Sequence, residues 1–326
     1  MNLLVLSVGR RNKLIRYILK HVQSTDHVIL SDCSKYAPGL FESKLIEIVP
    51  RIDDEDYLNV LVKICKRRKV DALMSLIDPE IIILSRHSDV FESLGVKILH
   101  PNYESNLLCF DKYAFYKTLI KNNILTPETY IEVADIKHDL YTHQIAYPVL
   151  MKNRRGSASI GLKKVDNIDT LNRCDHDFHD RLYQEYITGV EIGIDVYVDT
   201  LSGEIIDMFA REKLSMRAGE TDQSLSIEMD KKLKSVVEKI IQTLNLVGPL
   251  DIDIIKMHNM YYVIEVNTRF GGSYLHAHEC GVNFIPYMLN NLNNVENKPR
   301  LSNYKTGILM AKYIDIITVD TGGSDE

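Results

Sequence analysis

Val263-Ile264-Glu265-Val266-Asn267-Thr268-Arg269-Phe270-Gly271-Gly272 is the stretch on which the reading of this 326-residue chain turns. Its β-branched run predicts a strand, and along a strand residues two apart share a face. Glu265, Asn267 and Arg269 then project together from a backbone that breaks at two glycines. Glu and Asn offer hard oxygen ligands to Mg²⁺, and Arg offers a forked donor suited to phosphate. The combination points to a site for a metal-bound nucleotide polyphosphate. A solvated strand face is the other reading of these ten residues alone.

The segments upstream extend that site. Gly248-Pro249-Leu250-Asp251-Ile252-Asp253-Ile254-Ile255 reaches the first stretch through a short His258-Asn259 turn. Asp253 and Glu265 are therefore expected on paired antiparallel strands, near enough to share a cation. Arg211 and Arg217 bracket a segment expected to be a loop. Such a loop could hold a carboxylate or a transferred phosphate, although arginine-bearing loops usually belong to solvent. Lys152 ends an apolar strand and leads into a loop with Gly156 and Ser157. Glycine lets backbone N–H groups close over phosphates, and serine adds a hydroxyl donor. This loop is not a Walker A motif, and a mobile surface loop accounts for it equally. Gln184-Glu185-Tyr186-Ile187 could offer backbone groups to an adenine edge, and Glu191, past Gly189, could bond ribose hydroxyls. A strand with charged outer positions explains the same residues.

The first hundred residues alternate strand and helix signals, which predicts a parallel sheet with helices on both faces. Leu3 to Val8 reads as a buried strand, followed by Gly9 and a helix over about residues 11 to 22. Val8-Gly9-Arg10-Arg11-Asn12 lacks the G-x-G-x-x-G pattern, so Gly9 is read as a tight turn. Asp32 ends the second strand at a plausible ribose-binding place; the same cleft could hold part of an acceptor substrate. A boundary is expected near Asn102 to Asn106, then a helix over Leu107 to Asn122 and a short strand from Tyr130 to Val133.

In this order, Lys152 with its glycine loop, the Gln184-to-Glu191 hinge and Glu265-x-Asn267-x-Arg269 resemble the ATP-grasp superfamily. The branch they resemble most is that of the carbamoyl-phosphate synthase large subunit, and the likeness covers roughly residues 1 to 290. It implies an α/β and α+β architecture: a Rossmann-like pre-ATP-grasp domain over 1–105 and an ATP-grasp domain over 106–300. The latter divides at about 106–186 and 187–300, and residues 301–326 form a C-terminal extension. By position, Lys112 and Lys152, with Gly156 and Ser157, would contact ATP phosphates. Glu185, Tyr186 and Ile187 would meet adenine, and Glu191 the ribose. Asp253, Glu265 and Asn267 would hold Mg²⁺ or Mn²⁺, and Arg269 would face the γ-phosphate, with Arg211 and Arg217 toward the acceptor. Asp253 stands where relatives often carry Gln, and Thr268 where proline is common. The resemblance implies a ligase in which a small-molecule carboxylate, with an amino acid as one candidate, forms an acylphosphate and then an amide with an amine. A carbamoyl-phosphate-synthase-like use of another small acid, and a regulatory protein that binds ATP without turnover, stay open.

Composition narrows the partners. Hydrophobic content of 45% and charged content of 26% are ordinary for a folded domain protein, and the net charge of −6 argues against nucleic acid or an anionic membrane as global partner. Cysteines at 33, 65, 109, 174 and 280 show no C-x-x-C spacing and read as reduced, in keeping with a cytoplasmic protein. The short apolar run from Met1 to Gly9 reads as a strand rather than a signal peptide. A homodimer is left open by the sequence. His176 and His179 invite a metal reading but imply no further ligands, while His276 lies nearer the expected cleft than His278.

Overall fold

The computed structural model describes residues 1–156, 161–174 and 180–319. Strand–helix alternation in the first hundred residues produces a parallel sheet of β1 (Asn2–Leu6), β2 (His27–Asp32), β3 (Ile46–Ile48), β4 (Ala72–Ser75) and β5 (Lys97–Ile98). The strand order is 3-2-1-4-5, with Leu3 beside Val28 on one side and Ala72 on the other. Leu3 to Leu6 of β1 are all apolar and buried because both sheet faces are covered. Leu3 and Val5 pack with Leu14 and Ile18 of the helix Asn12–His21; Leu4 and Leu6 pack with Leu61 and Ile64 of the helix Tyr57–Arg68. The order reverses between β1 and β4, so the C-terminal ends of these strands open a crevice of the kind that receives ligands. Asp32 does not face that crevice freely. Its carboxylate accepts the Gly9 N–H at 2.8 Å and the Ser34 N–H at 2.9 Å, fixing the two local loops.

A second, antiparallel sheet follows, ordered 6-9-7-8: β6 (Thr129–Tyr130), β7 (Val149–Asn153), β8 (Lys163–Val165) and β9 (Arg181–Glu185). The strand expected through Val133 stops at Tyr130, because a helix over Val133–Tyr141 begins there and buries Ile136 against Val149, Val165 and Leu171. The helix expected over Leu107 to Asn122 is two helices, Tyr103–Phe110 and Lys112–Lys121. They part at Asp111, whose side chain caps the second by accepting the N–H groups of Tyr113 and Ala114 at 3.1 Å each.

The largest sheet contains β10 (Val190–Val198), β11 (Ile205–Arg217), β12 (Glu220–Ile227), β13 (Gly248–Met257), β14 (Met260–Asn267) and β15 (Leu309–Ala311), ordered 14-13-10-11-12-15. The loop expected between Arg211 and Thr221 is instead a continuation of β11 into a hairpin, turning at Ala218 and Gly219, both at positive φ. The sheet has two unlike faces because side chains alternate along each strand. Ile192, Ile194 and Val196 of β10 join Leu250, Ile252 and Ile254 of β13 against the helix Lys231–Leu244. The register places Gly193, Asp195, Arg211 and Lys213 on the opposite face, beside Asp251, Asp253, Glu265 and Asn267. Beyond this charged field, Tyr197 and Phe209 pack with Tyr274, Phe284 and Met288 in the apolar cluster that also contains Leu3 and Val5. No helix among the described residues is long and apolar enough to cross a membrane.

Candidate functional site

Asp253 stands opposite Glu265, and Asp251 opposite Asn267, across the β13–β14 pair. A cavity of about 210 Å³ lies over this field. Asp253, Glu265, Asn267 and Arg269 line it from the large sheet, Lys213 and Glu220 from the hairpin, and Arg11 and Asp78 from the N-terminal domain. A smaller recess lined by Lys112 and Gly156 shares Glu265 and Asn267 with that cavity. The two residues therefore form a wall common to both spaces.

On the recess side, Lys152 is buried at the end of β7, its Nζ donating to Gln184 Oε1 at 2.7 Å. Gln184 in turn donates to Thr129 Oγ1 at 2.9 Å, which fixes the lysine between β7 and β9. Burial pushes the Lys152 ammonium down to about 8; the Glu265 carboxylate works against that fall and Lys112 adds to it. Lys112 opens its helix and donates to the Gly156 carbonyl. Arg154 and Arg155 fold back onto Asp111, at 2.8 and 3.2 Å, so the start of the glycine loop is tied to the helix that carries Lys112. Ser157, like His176 and His179, lies outside the described residues. Glu185 ends β9, its N–H donating to the Glu128 carbonyl at 2.8 Å; Tyr186 is half-exposed, Ile187 buried, and Glu191 exposed on β10.

Ion pairs organise the cavity side. Lys213 Nζ lies 2.5 Å from Asp253, and Arg269 lies 3.0 Å from Asp78 and 3.9 Å from Asp251. Arg211 is fully buried, bound to Asp195 and, at 3.1 Å, to Asp251. Gly193 makes room for this: a Cβ there would sit 3.1 Å from Arg211 Nε and from Lys213 Cε. Among the described residues the Glu265 carboxylate has no ion pair or hydrogen bond, and no three His, Cys, Asp or Glu side chains converge tightly enough to hold a metal by themselves. A cation placed here would draw on Glu265 together with the Asn267 amide.

Residues 109–273 match the family described as ATP-grasp domain, and residues 3–99 match the PylC-like N-terminal domain. The chain belongs to the ATP-grasp family. It is 28% identical over 192 residues to the coenzyme gamma-F420-2:alpha-L-glutamate ligase of Methanococcus maripaludis, covering 55% of this chain and 65% of that protein. It is 26% identical over 199 residues to the carbamoyl phosphate synthase large chain of Pseudothermotoga lettingae, covering 56% of this chain but 18% of the relative. The match thus spans just under two-thirds of the first relative's length. Among solved structures, N5-carboxyaminoimidazole synthetase from Staphylococcus aureus superposes with a TM-score of 0.72 at 18% identity, over 91% of this chain and 78% of that one.

Within this ATP-grasp chain two sequence expectations need correction. Arg211 does not reach the cavity as an acceptor ligand, because two carboxylates enclose it at 0% exposure. Arg217 sits at the hairpin's outer end with its side chain 66% exposed, 3.7 Å from Asp222, and is not part of the cavity lining. His276 is buried against Phe209, with Nδ1 2.8 Å from Ser224 Oγ, and His278 stacks on Tyr17 at 3.6 Å; neither lines the cavity. Conversely Asp78, Asp251, Lys213, Arg11 and Glu220 went unnoticed as site residues. The Asp251-Ile252-Asp253 alternation carried a signal for Asp251, since it faces the same way as Asp253. Nothing local marks the other four.

Proposed function

We propose that the chain is an ATP- and Mg²⁺-dependent carboxylate–amine ligase that forms an amide through an acylphosphate. The observation that supports this most is the shared wall of Glu265 and Asn267, with the Lys112 recess on one side and a larger charged cavity on the other. A divalent cation fits that wall. Glu265 is unpartnered among the described residues, Asn267 adds an amide oxygen, and Asp253 stands across the register. Burial pushes the Asp253 carboxyl up, and Asp251 and Glu265 nearby push it further, although Lys213 opposes them; a cation would relieve that crowding.

In this reading Asp253, Glu265 and Asn267 hold the metal, which when bound neutralises charge on the transferring phosphoryl group. Lys112, Lys152, Gly156 and Ser157 hold the phosphates. Glu185, Tyr186 and Ile187 meet adenine, Glu191 meets ribose, and Arg269 faces the γ-phosphate. A substrate carboxylate in the larger cavity attacks the γ-phosphorus, giving an acylphosphate and ADP. An amine then attacks the acyl carbon, phosphate leaves, and the amine loses a proton. Positioning and charge neutralisation suffice for such a transfer, so no covalent nucleophile on the protein is required. Phosphate release from Mg-ATP that needs both an added acid and an added amine is the expected result. Tight Mg-ATP binding without phosphate release across a broad panel of acids and amines would leave a nucleotide-binding protein instead.

Lys152 makes this testable by pH. A polyphosphate binds the charged lysine, so affinity for Mg-ADP is expected to be flat at low pH and to weaken as pH rises through about 8. The slope approaches about tenfold per pH unit, the limit for one linked proton. Lys152→Met should bind at least about tenfold more weakly at neutral pH and lose the step, a loss of more than one hydrogen-bonded charge contact's minimum. Calorimetric titrations across the pH range check both; a wild-type profile without a step would remove Lys152 from the phosphate site.

A further inference from the structure

The larger cavity carries charge that neither the metal nor the phosphates use. Lys213 and Arg269 each have a carboxylate at ion-pair distance, 2.5 Å to Asp253 and 3.0 Å to Asp78. Arg11 also lines the cavity, yet among the described residues its guanidinium has no ion pair or side-chain hydrogen bond. It stands just before the helix Asn12–His21, where the chain leaves β1 at the reversal of strand order. Facing it is Glu220, the first residue of β12, with its side chain 52% exposed and Oε2 3.0 Å from Lys312.

Gly272 lies between them. A Cβ at that position would be 3.1 Å from Arg11 Nη1 and 3.1 Å from Glu220 Oε2, so the two charged groups are at most about 6 Å apart. They still do not form an ion pair. They belong to different parts of the fold, the N-terminal domain and the hairpin, and a missing side chain leaves the space between them open. A fixed cation and a fixed anion at that separation match a molecule carrying both charges on neighbouring atoms. A dicarboxylate would set its second charge against Glu220, and a simple amine would leave Arg11, which has Arg269 nearby and Glu220, Asp251 and Asp78 only at a distance, without an ion-pair contact; both misfits disfavour those ligands. Leu76 and Met216 in the same cavity offer apolar contact for a side chain.

We propose that Arg11 and Glu220 are specificity-determining residues that bind the head group of an α-amino acid substrate, Arg11 taking the carboxylate and Glu220 the ammonium. This rests on the ligase reading, since it assigns the cavity on the far side of Glu265 and Asn267 to substrate. The test uses the full chain saturated with Mg-AMP-PNP and measures binding of the twenty L-amino acids and their D-enantiomers. Each is compared with its des-amino acid and its decarboxylated amine, as alanine with propionate and ethylamine. One or more amino acids should bind at least about tenfold more tightly than both truncated counterparts, the scale of one lost charge contact. Arg11→Ala should weaken that amino acid by at least about tenfold, and Arg11→Lys should recover part of the loss because the charge returns. Glu220→Gln should bring the amino acid and its des-amino counterpart to within about threefold of each other, since ammonium recognition is what it removes. Absence of amino-acid binding to the nucleotide-loaded protein, wild-type affinity in Arg11→Ala, or unchanged discrimination in Glu220→Gln would each overturn the assignment. Failure of wild-type protein to bind Mg-AMP-PNP would overturn the ligase reading itself, and this assignment with it.

Discussion

Glu265→Gln is expected to abolish turnover while leaving the fold as stable as before. The carboxylate has no partner among the described residues and faces Asp253 across the β13–β14 register. Removing its charge breaks no hydrogen bond or ion pair; it lessens repulsion with Asp253 and gives up attraction to Lys152 and Arg269, so the net change in stability should stay within about 0.5 kcal/mol. Activity should respond very differently. A neutral amide is a far poorer ligand than a carboxylate for a hard divalent cation, and in the proposed reaction a bound metal would offset charge on the phosphoryl group. A fall in phosphate release on the order of a thousandfold, about 4 kcal/mol of barrier, is the expected size. Parallel Mg²⁺ titrations should show a weakened metal requirement curve, and urea denaturation should match wild type. Near-native turnover in this variant would sink the metal assignment.

Arg211→Met should fail in the opposite way, by losing the fold before any chemistry is asked of it. The guanidinium is the counter-charge for Asp195, itself 1% exposed, and for Asp251. Its removal leaves Asp195 without a counter-charge where water is excluded, and Asp251 with only the more distant Arg269, a change that typically costs about 3–5 kcal/mol. The pH dependence gives an independent check. Burial already holds the Asp195 carboxyl above its unfolded value in spite of Arg211, and losing that guanidinium raises it further. The neutral acid is then the form that folding favours, so the stability deficit should be smaller at acid pH and grow as pH rises through the raised pKa. Chemical denaturation at several pH values reads both effects. A stability within about 1 kcal/mol of wild type would show that the buried cluster tolerates its own charge, contrary to this account. An Asp195→Asn, Arg211→Met double variant should recover part of the loss, because it removes one of the stranded charges.

The contrast between these two residues shows what could be read from the chain in advance. Glu265, Asn267 and Arg269 were legible because alternation along one strand fixes a shared face without knowledge of anything else. The opposition of Asp253 and Glu265 was legible because a short turn joins their strands, which leaves few registers to choose from. Arg211 was misread for a non-local reason. Its counter-ions come from β10 and β13, one and two strands away, and only the assembled order 13-10-11 brings them to it. The hairpin reads as a loop in the sequence because Lys213, Ser215 and Arg217 look like solvent-facing polarity and bulges around Ser215 break the alternation, whereas Lys213 faces a charged field that is itself polar. Arg11 and Asp78 come from the first hundred residues, and their place in the site depends on how that domain sits against β14. The helix Val133–Tyr141 was missed because Ile131 and Val133 extend the β-like run past Tyr130, while Ile136 is the one residue of that helix that is fully buried.

The apolar cluster shared by β1 and the residues after β14 has a consequence for how the molecule can come apart. Phe270, Tyr274, Phe284 and Met288 are packed in one mass with Leu3, Val5 and Leu30, and Tyr197 and Phe209 of the large sheet complete it. The same junction carries the Arg269–Asp78 pair, which joins positions 191 residues apart in the chain. Cutting the polypeptide before Tyr103 would strip a wall from each fragment and leave the Arg269 guanidinium without its main counter-charge. The segment that looks like a detachable module is thus a structural buttress of the strand that carries Glu265 and Asn267, and the two halves are built to melt together.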